Sequence, residues 1–260
     1  MEVGDGARRQ AEAFKFISSP ERKYPSLSEK SSVDCLMKWS MKGRLMVHAF
    51  SFDENFCAYK DNEFMRDLFN SDVVKSVLHA DGSTISSIKK TVAQPVACTW
   101  TNMKFFQKLK DITCREDGTI KRCYDDMIHS VLVSDELRRC LIDEESENYQ
   151  LIADEERQEF LFQLFSHICI GGELCQSEDN INDYIEFSRR LYRDLISVQK
   201  CKEGKEVQVI SKVYAVKVYD DEGMVFPAME EHLNTFAYVI VDPLRRNVII
   251  LYHIFGCGEF

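Results

Sequence analysis

Residues able to do chemistry are scattered along this chain, and their spacing decides which of them could act together. His167-x-Cys169-x5-Cys175 is the nearest approach to a metal motif. Zinc takes four tetrahedral ligands, usually supplied as close pairs on turns, and here a fourth would have to come from a distant residue. Residues two apart on a helix also point in different directions, so His167 and Cys169 do not share a face. A core thiol pair beside a glycine stop is the plainer account. Cys114 and Cys123 flank the turn Glu116-Asp117-Gly118 and could face each other across a small hairpin, but a disulfide there would need an oxidising compartment. Gly256-Cys257-Gly258 begins like a dinucleotide turn, yet the helix that would hold the phosphate does not follow. His253 and Cys257 are the first suspects for a pocket between helices and a C-terminal sheet. The competing account of His253 is a hydrogen-bonded core residue. GxSxG, HExxH, DxDxDG and Walker lysine motifs are all missing from the sequence. These residues therefore assign no catalytic, cofactor-binding or metal-binding site.

The charge pattern is more informative. The chain has 260 residues and a formal net charge of -10, from 43 acids and 33 bases. Between Asp135 and Glu159 ten acids stand against Arg138, Arg139 and Arg157, a local balance of -7. A solvated helical face is the plain reading of such a run. The functional reading is a docking surface that steers a basic partner, with affinity that falls as salt rises. On that reading the candidate contacts are Asp135, Glu136, Glu144, Glu145, Asp154 and Glu155. Arg138-Arg139 and Arg245-Arg246 are paired cations that could take carboxylates on a partner, or tie loops to their own domain.

Composition bounds the rest. An apolar fraction of 45% suffices for a core, and 11 Gly with 5 Pro excludes collagen-like and linker-rich architectures. An acidic chain without a basic block argues against nucleic acid and against anionic membrane surfaces. The longest apolar run, Phe236 to Val241, is far short of a membrane span. No signal-peptide core is evident near the N-terminus, so the expected location is the cytoplasm and the ten cysteines are expected to be reduced.

The elements that must position these residues follow from periodicity. Residues 1–13 read as a disordered N-terminus and 14–260 as one α+β domain, divisible into lobes 14–125 and 126–260. A helix is expected over 28–41, with Val33, Leu36, Met37 and Met41 inward and Gly43 as its left-handed stop. A strand over 44–52 follows, then a helix over 62–77 burying Phe64, Leu68, Phe69 and Val73. Residues 79–97 read as a mobile insertion or a weak edge strand around 85–92. A short helix over 102–109 turns Phe105, Phe106 and Leu109 inward. Ser134 and Asp154 stand as N-caps of two central helices, the second ending at Gly171-Gly172. Residues 180–198 form the cleanest amphipathic helix, with Glu186, Arg190 and Asp194 on its wet face. Residues 207–219 read as a strand whose alternation slips near Ile210, as at a bulge. Residues 235–241 and 248–255, joined through Asp242-Pro243, read as an antiparallel hairpin at the centre of a sheet. The expected class is α+β, a mostly antiparallel sheet with a central helical segment packed against it.

Several segments resemble one family. They are Trp39-Ser40-Met41-Lys42-Gly43-Arg44 leading to His48-Ala49-Phe50-Ser51-Phe52-Asp53, and Ser134-Asp135-Glu136-Leu137-Arg138-Arg139. They continue through Glu159-Phe160-Leu161-Phe162 and Gly171-Gly172-Glu173-Leu174-Cys175-Gln176 to Ile240-Val241-Asp242-Pro243 and Leu251-Tyr252-His253. In order and spacing they are similar to the cilia- and flagella-associated protein 300 family. The resemblance implies a non-enzymatic protein of motile cilia, associated with cytoplasmic assembly of outer and inner dynein arms and with axonemal organisation. It implies partners among dynein arm assembly factors, including a Kintoun-type co-chaperone of the Hsp90 system, and axonemal dynein complexes. It implies no catalytic or metal residues and no cofactor. A structural subunit resident in the axoneme, or an enzyme or small-ligand module, are the rival readings.

Overall fold

A computed structural model describes residues 13–80, 83–85, 88–200 and 207–259. The N-terminal part runs β1 (Phe16–Ser18), α1 (Pro25–Ser28), α2 (Lys30–Lys38), β2 (Leu45–Phe52), α3 (Asp61–Asn70), α4 (Asp72–Lys75), β3 (His79–Ala80), β4 (Ser83–Thr84) and β5 (Lys90–Val96). The middle is helical apart from one hairpin: α5 (Phe105–Thr113), β6 (Arg122–Ile128), β7 (Val131–Asp135), α6 (Glu136–Ile142), α7 (Glu147–Gln150), α8 (Asp154–Arg157), α9 (Phe160–Ile170) and α10 (Ile181–Leu195). The chain returns to strands in β8 (Val198–Lys200), β9 (Val207–Val209), β10 (Lys212–Tyr219), β11 (Met224–Phe226), β12 (Phe236–Asp242) and β13 (Asn247–His253). The class is α+β.

One antiparallel sheet organises these pieces, in the order β1-β2-β13-β12-β10-β11, with β5 along the other side of β10. The β12–β13 hairpin lies at its centre, and every residue of β12 is buried. Both faces of the sheet are covered, which is why these strands are apolar throughout instead of alternating. Tyr238, Ile240, Ile249 and Leu251 join the core under α5, α6, α9 and α10. Ala237, Val239, Val248 and Ile250 face a second core under α3 and α4. In that second core Phe64 makes edge-on contacts with Phe14, Phe52 and Phe56 at ring separations of 5.0, 5.1 and 5.0 Å.

Several boundaries differ from expectation for local reasons. The first helix stops at Lys38; Ser40 adopts the left-handed conformation, and Gly43 (φ +74°) serves the turn into β2. In the second helical stretch Asn70 and Asp72 bracket a break at Ser71, so Val74 is buried and Val73 is exposed. Residues 79–97, read as a mobile insertion or a weak edge strand around 85–92, supply a strand that begins later, β5, paired with β10 from Lys90↔Tyr219 to Val96↔Val213. The slip near Ile210 is a gap between two strands, because β9 pairs with β8 while β10 enters the main sheet. Cys114 bridges to Ile120, not to Cys123. Asp194 has left the wet face: its carboxylate accepts from the Ser26 amide at 2.9 Å and hydroxyl at 2.6 Å, fixing α1 onto α10. Residues 1–12 lie outside the described residues, and the Ala13 amide donates to Asp67 Oδ2 at 2.8 Å.

Candidate functional site

The acidic segment begins where β7 runs into α6. Asp135, not Ser134, is the N-cap: its carboxylate accepts from the Arg138 amide at 2.8 Å and from Arg138 Nη1 at 2.6 Å. Asp135 is 1% exposed and Arg138 3%, and Arg138 Nη2 also donates to the Tyr184 hydroxyl at 3.1 Å. A carboxylate taken out of water keeps its charge only when paired and hydrogen-bonded, so these two residues complete each other. Neither can meet a partner, and both are withdrawn from the candidate surface.

Further along, α8 and α9 are separate helices. Ala153 is the N-cap of α8 and Asp154 its first residue, and the chain then bends at Gln158 and Glu159. Glu159 is buried, accepting from the Thr99 amide at 3.0 Å and from the Thr99 hydroxyl, while the Phe160 amide donates to Ala97 O at 2.7 Å. Those contacts fasten the end of β5 to the start of α9. Glu136 is half-buried and accepts from Asn148 Nδ2 at 2.8 Å. Arg139 is exposed and spends its charge within the segment, on Asp143 at 3.2 Å and Glu136 at 4.0 Å. Glu144, Glu145, Glu147, Asp154 and Glu155 remain, all exposed. Arg157 holds their scaffold together. Its guanidinium lies 3.4 Å from the centroid of Tyr149 and donates to Tyr149 O at 2.7 Å and Cys140 O at 3.1 Å.

Sequence reasoning missed the β6–β7 hairpin, which runs into α6 at Asp135 and whose turn residues His129 and Ser130 lie by Lys217, Met224, Pro227 and Glu231. His129 and Ser130 turn it with φ of 49° and 64°, the pair of positive values that a tight hairpin turn requires. Cys123 anchors it against α6; burial raises its thiol pKa, and Glu136 and Asp135 add to the rise. Outward it presents Tyr124, 98% exposed, with Met127 and Leu132 paired opposite each other and both exposed. Asp125 and Asp126 extend the acidic character onto the hairpin.

The other candidates do not converge with this surface. Arg245 is exposed at the β12–β13 turn, 3.9 Å from Asp242, and Arg246 Nη1 donates to Asp53 O at 2.6 Å. They tie a turn to its own sheet. The suspected chemistry around His167 and His253 is core polar bonding, organised by the fully buried Asn234. Asn234 Nδ2 donates to Gly171 O at 2.7 Å and His167 O at 3.0 Å, so its Oδ1 accepts from His167 Nδ1 at 2.6 Å. His167 Nε2 lies 2.8 Å from the Tyr238 hydroxyl, which donates to Gln163 Oε1 at 2.9 Å, and His253 Nδ1 donates to Asn234 O at 2.5 Å. With both its nitrogens engaged, His167 cannot join Cys169 and Cys175 around a metal. Cys175 lies instead 3.5 Å from Arg138 Nη2. Among the described residues no group of three His, Cys, Asp or Glu side chains is placed to hold a metal ion. Gly256-Cys257-Gly258 has a packing role: Gly258 lies on the backbone of Ser40, where an added Cβ would be 2.6 Å from the carbonyl carbon.

Taken together, these features define an α+β fold whose buried polar groups are structural and which exposes acidic side chains between α6 and α8 and an apolar hairpin. Residues 13–253 match the family model of cilia- and flagella-associated protein 300, and the chain belongs to that family. A relative named cilia- and flagella-associated protein 300 in Chlamydomonas reinhardtii is 33% identical over 251 residues, covering 93% of this chain and 97% of its own. A relative of the same name in Paramecium tetraurelia is 31% identical over 229 residues, covering 86% and 88%. No solved structure matches. The family is one of cilia and flagella, and its name carries no enzymatic activity. Among the described residues no helix is long and apolar enough to cross a membrane.

Proposed function

We propose that this chain is a non-enzymatic interaction protein acting in cytoplasmic assembly or delivery of outer and inner axonemal dynein arms. Membership of a cilia- and flagella-associated family supports a ciliary task, and the surface supports recognition as the means. The observation that carries the reading is the exposed set Glu144, Glu145, Glu147, Asp154 and Glu155. Exposed carboxylates suit a basic partner, charge setting the encounter, and the exposed apolar residues of the hairpin, Tyr124, Met127 and Leu132, offer a second contact whose burial would set the residence time. A Kintoun-type Hsp90 co-chaperone is the partner class, with dynein complexes as the cargo.

The test is capture of dynein assembly factors from ciliated-cell extract by the quadruple variant Glu144→Lys, Glu145→Lys, Asp154→Lys and Glu155→Lys. Capture should fall at least about fivefold with helicity unchanged, and wild-type capture should weaken as salt rises. Unchanged capture by the folded variant sinks the acidic surface. Retention of the protein in detergent-extracted axonemes, with no cytosolic pool bound to chaperones, favours a resident axonemal subunit.

A further inference from the structure

Strands β8 and β9 form a two-stranded ribbon outside the main sheet. Their register, Val198↔Val209 and Lys200↔Val207, puts the three valines on one face of the ribbon, since side chains alternate along a strand. Val209 packs on the core under the helices, but Val198 and Val207 remain 48% and 38% exposed. A two-stranded ribbon depends on cover for its apolar face, and here that cover is incomplete. The open part of the face borders a groove of about 530 Å³ with Tyr192 and Ile196 at the end of α10 and the loop from Trp100 to Met103.

The walls of the groove are fixed before anything enters it. The Tyr192 hydroxyl donates to Trp100 O at 2.9 Å, tying the loop to α10, and Trp100 stacks on Phe105 with ring centroids 4.7 Å apart. The rim is cationic on a chain whose net charge is -10. Arg189 and Arg193 line it, and Lys200 stands opposite Val207 on the ribbon. Arg193 is exposed and forms no ion pair or hydrogen bond among the described residues. Glu186, whose charge Arg193 feels, is already bonded to Arg189 at 2.7 Å and lies 4.0 Å from Arg190. An apolar recess with an uncommitted guanidinium at its edge suits an apolar plug flanked by carboxylates.

The same chain carries such a plug. On the β6–β7 hairpin Tyr124, Met127 and Leu132 project into solvent, with the exposed Asp125 and Asp126 between the first two. The hairpin does not reach the groove of its own chain: its turn residues His129 and Ser130 line a different cavity, with Lys217, Met224 and Pro227, and no hairpin residue lines this one. We infer that this protein associates with a second copy of itself, the acidic hairpin of one chain seating Tyr124 and Met127 in the cationic groove of the other. The volume is within the range that takes a drug-sized ligand, and so holds one aromatic and one thioether side chain. Hairpin in groove is a heterologous contact, which closes where two copies exchange hairpins and continues as an open chain where they cannot. Its area is small, so the association is weak and reversible, in the micromolar-to-millimolar range.

Sedimentation velocity of the purified full chain, with concentration raised through that range, tests this. Mass should grow reversibly beyond the monomer and fall back as salt rises. Tyr124→Ser with Met127→Ser removes the plug, and Arg193→Glu reverses the charge at the rim. Each variant should weaken association at least about tenfold with helicity unchanged, because both sites are exposed. The decisive measurement mixes the two variants. The hairpin variant keeps a sound groove and the groove variant a sound hairpin, so the mixture should form pairs that grow no further, while each variant alone stays monomeric. A wild-type chain that is monomeric throughout the range overturns the proposal, as does self-association indifferent to both variants. Association lost in each variant and not restored in the mixture overturns the hairpin-in-groove contact.

Discussion

Asn234 shows how one uncharged residue can set the state of two titratable ones. Its side-chain amide donates to two carbonyls at the end of α9, which leaves Oδ1 able only to accept from His167, and its backbone carbonyl accepts from His253. Burial, resisted by the bond to Asn234, holds the His167 pKa down to about 3, and burial likewise holds His253 down to about 4. Unfolded histidines protonate near 6.5. Above that pH both are neutral in either state and the pair adds no pH dependence. Between about pH 6.5 and 4 only the unfolded chain takes up the two protons, so this pair lowers stability as pH falls. The slope contributed is about 2.7 kcal/mol per pH unit. Urea unfolding at about pH 7, 6 and 5 measures it, and His253→Gln should halve the contribution; an unaltered slope in that variant would falsify the assignment. Asp135 and Arg138 behave oppositely, as a pair that must stay charged. Arg138→Ala strands a carboxylate in the core and should cost about 3–5 kcal/mol, read as a drop in urea midpoint. The i,i+3 spacing of the two residues was a visible signal for that pair, but a charge run reads as solvent-facing until burial is known.

At the scale of elements, the β6–β7 hairpin and the glycine junction separate what a sequence displays from what it hides. Helix α10 was legible because burial of one face imposes a period on its residues, and strands β12 and β13 because burial of both faces makes them continuous apolar runs. The hairpin was not, because most of its first strand faces water and a polar strand has no hydrophobic alternation to betray it. Likewise Met46 and Tyr252 are about two hundred positions apart in the chain, and only the β2–β13 register brings them together. Exposure makes the hairpin testable. Tyr124→Ser and Met127→Ser remove apolar surface that touches little, so stability should move by no more than about 0.5 kcal/mol. Partner capture should drop at least about fivefold if the knob is an anchor. A variant that loses stability and keeps capture would make the hairpin a structural element alone. At the junction of α9, the Ser40 turn and the C-terminal segment, Gly172 is packed so closely that a Cβ would lie 2.1 Å from Ser40 O. That crowding, not a phosphate turn, accounts for the glycines at this end of the chain.

For the whole molecule, the sheet decides whether the two cores can fail separately. Alternate residues of β12 and β13 enter opposite cores, so loosening either core strips one face from the same two strands. Pairing also crosses the chain from end to end: β2 joins β13 and β5 joins β10, so neither half of the sequence holds the sheet without the other. Cooperative unfolding in one transition follows, since a half-covered sheet would expose apolar strands to water. Phe64, at the centre of the aromatic cluster under α3, and Phe165, which packs edge-on against Phe106 at 4.8 Å under α9, provide one probe per core. Each is fully buried, so Phe64→Ala and Phe165→Ala should each cost about 3–5 kcal/mol. Both should shift one shared midpoint, with near-UV signal from Trp39 and Trp100 and far-UV signal moving together in each variant. Trp39 and Trp100 belong to the core under the helices, so the decisive case is Phe64→Ala, whose lesion is on the other face of the sheet. Loss of far-UV signal in that variant while the tryptophan signal stays native would mean that the α3 side unfolds alone, and the sheet would then not be the shared support that its residue pattern describes.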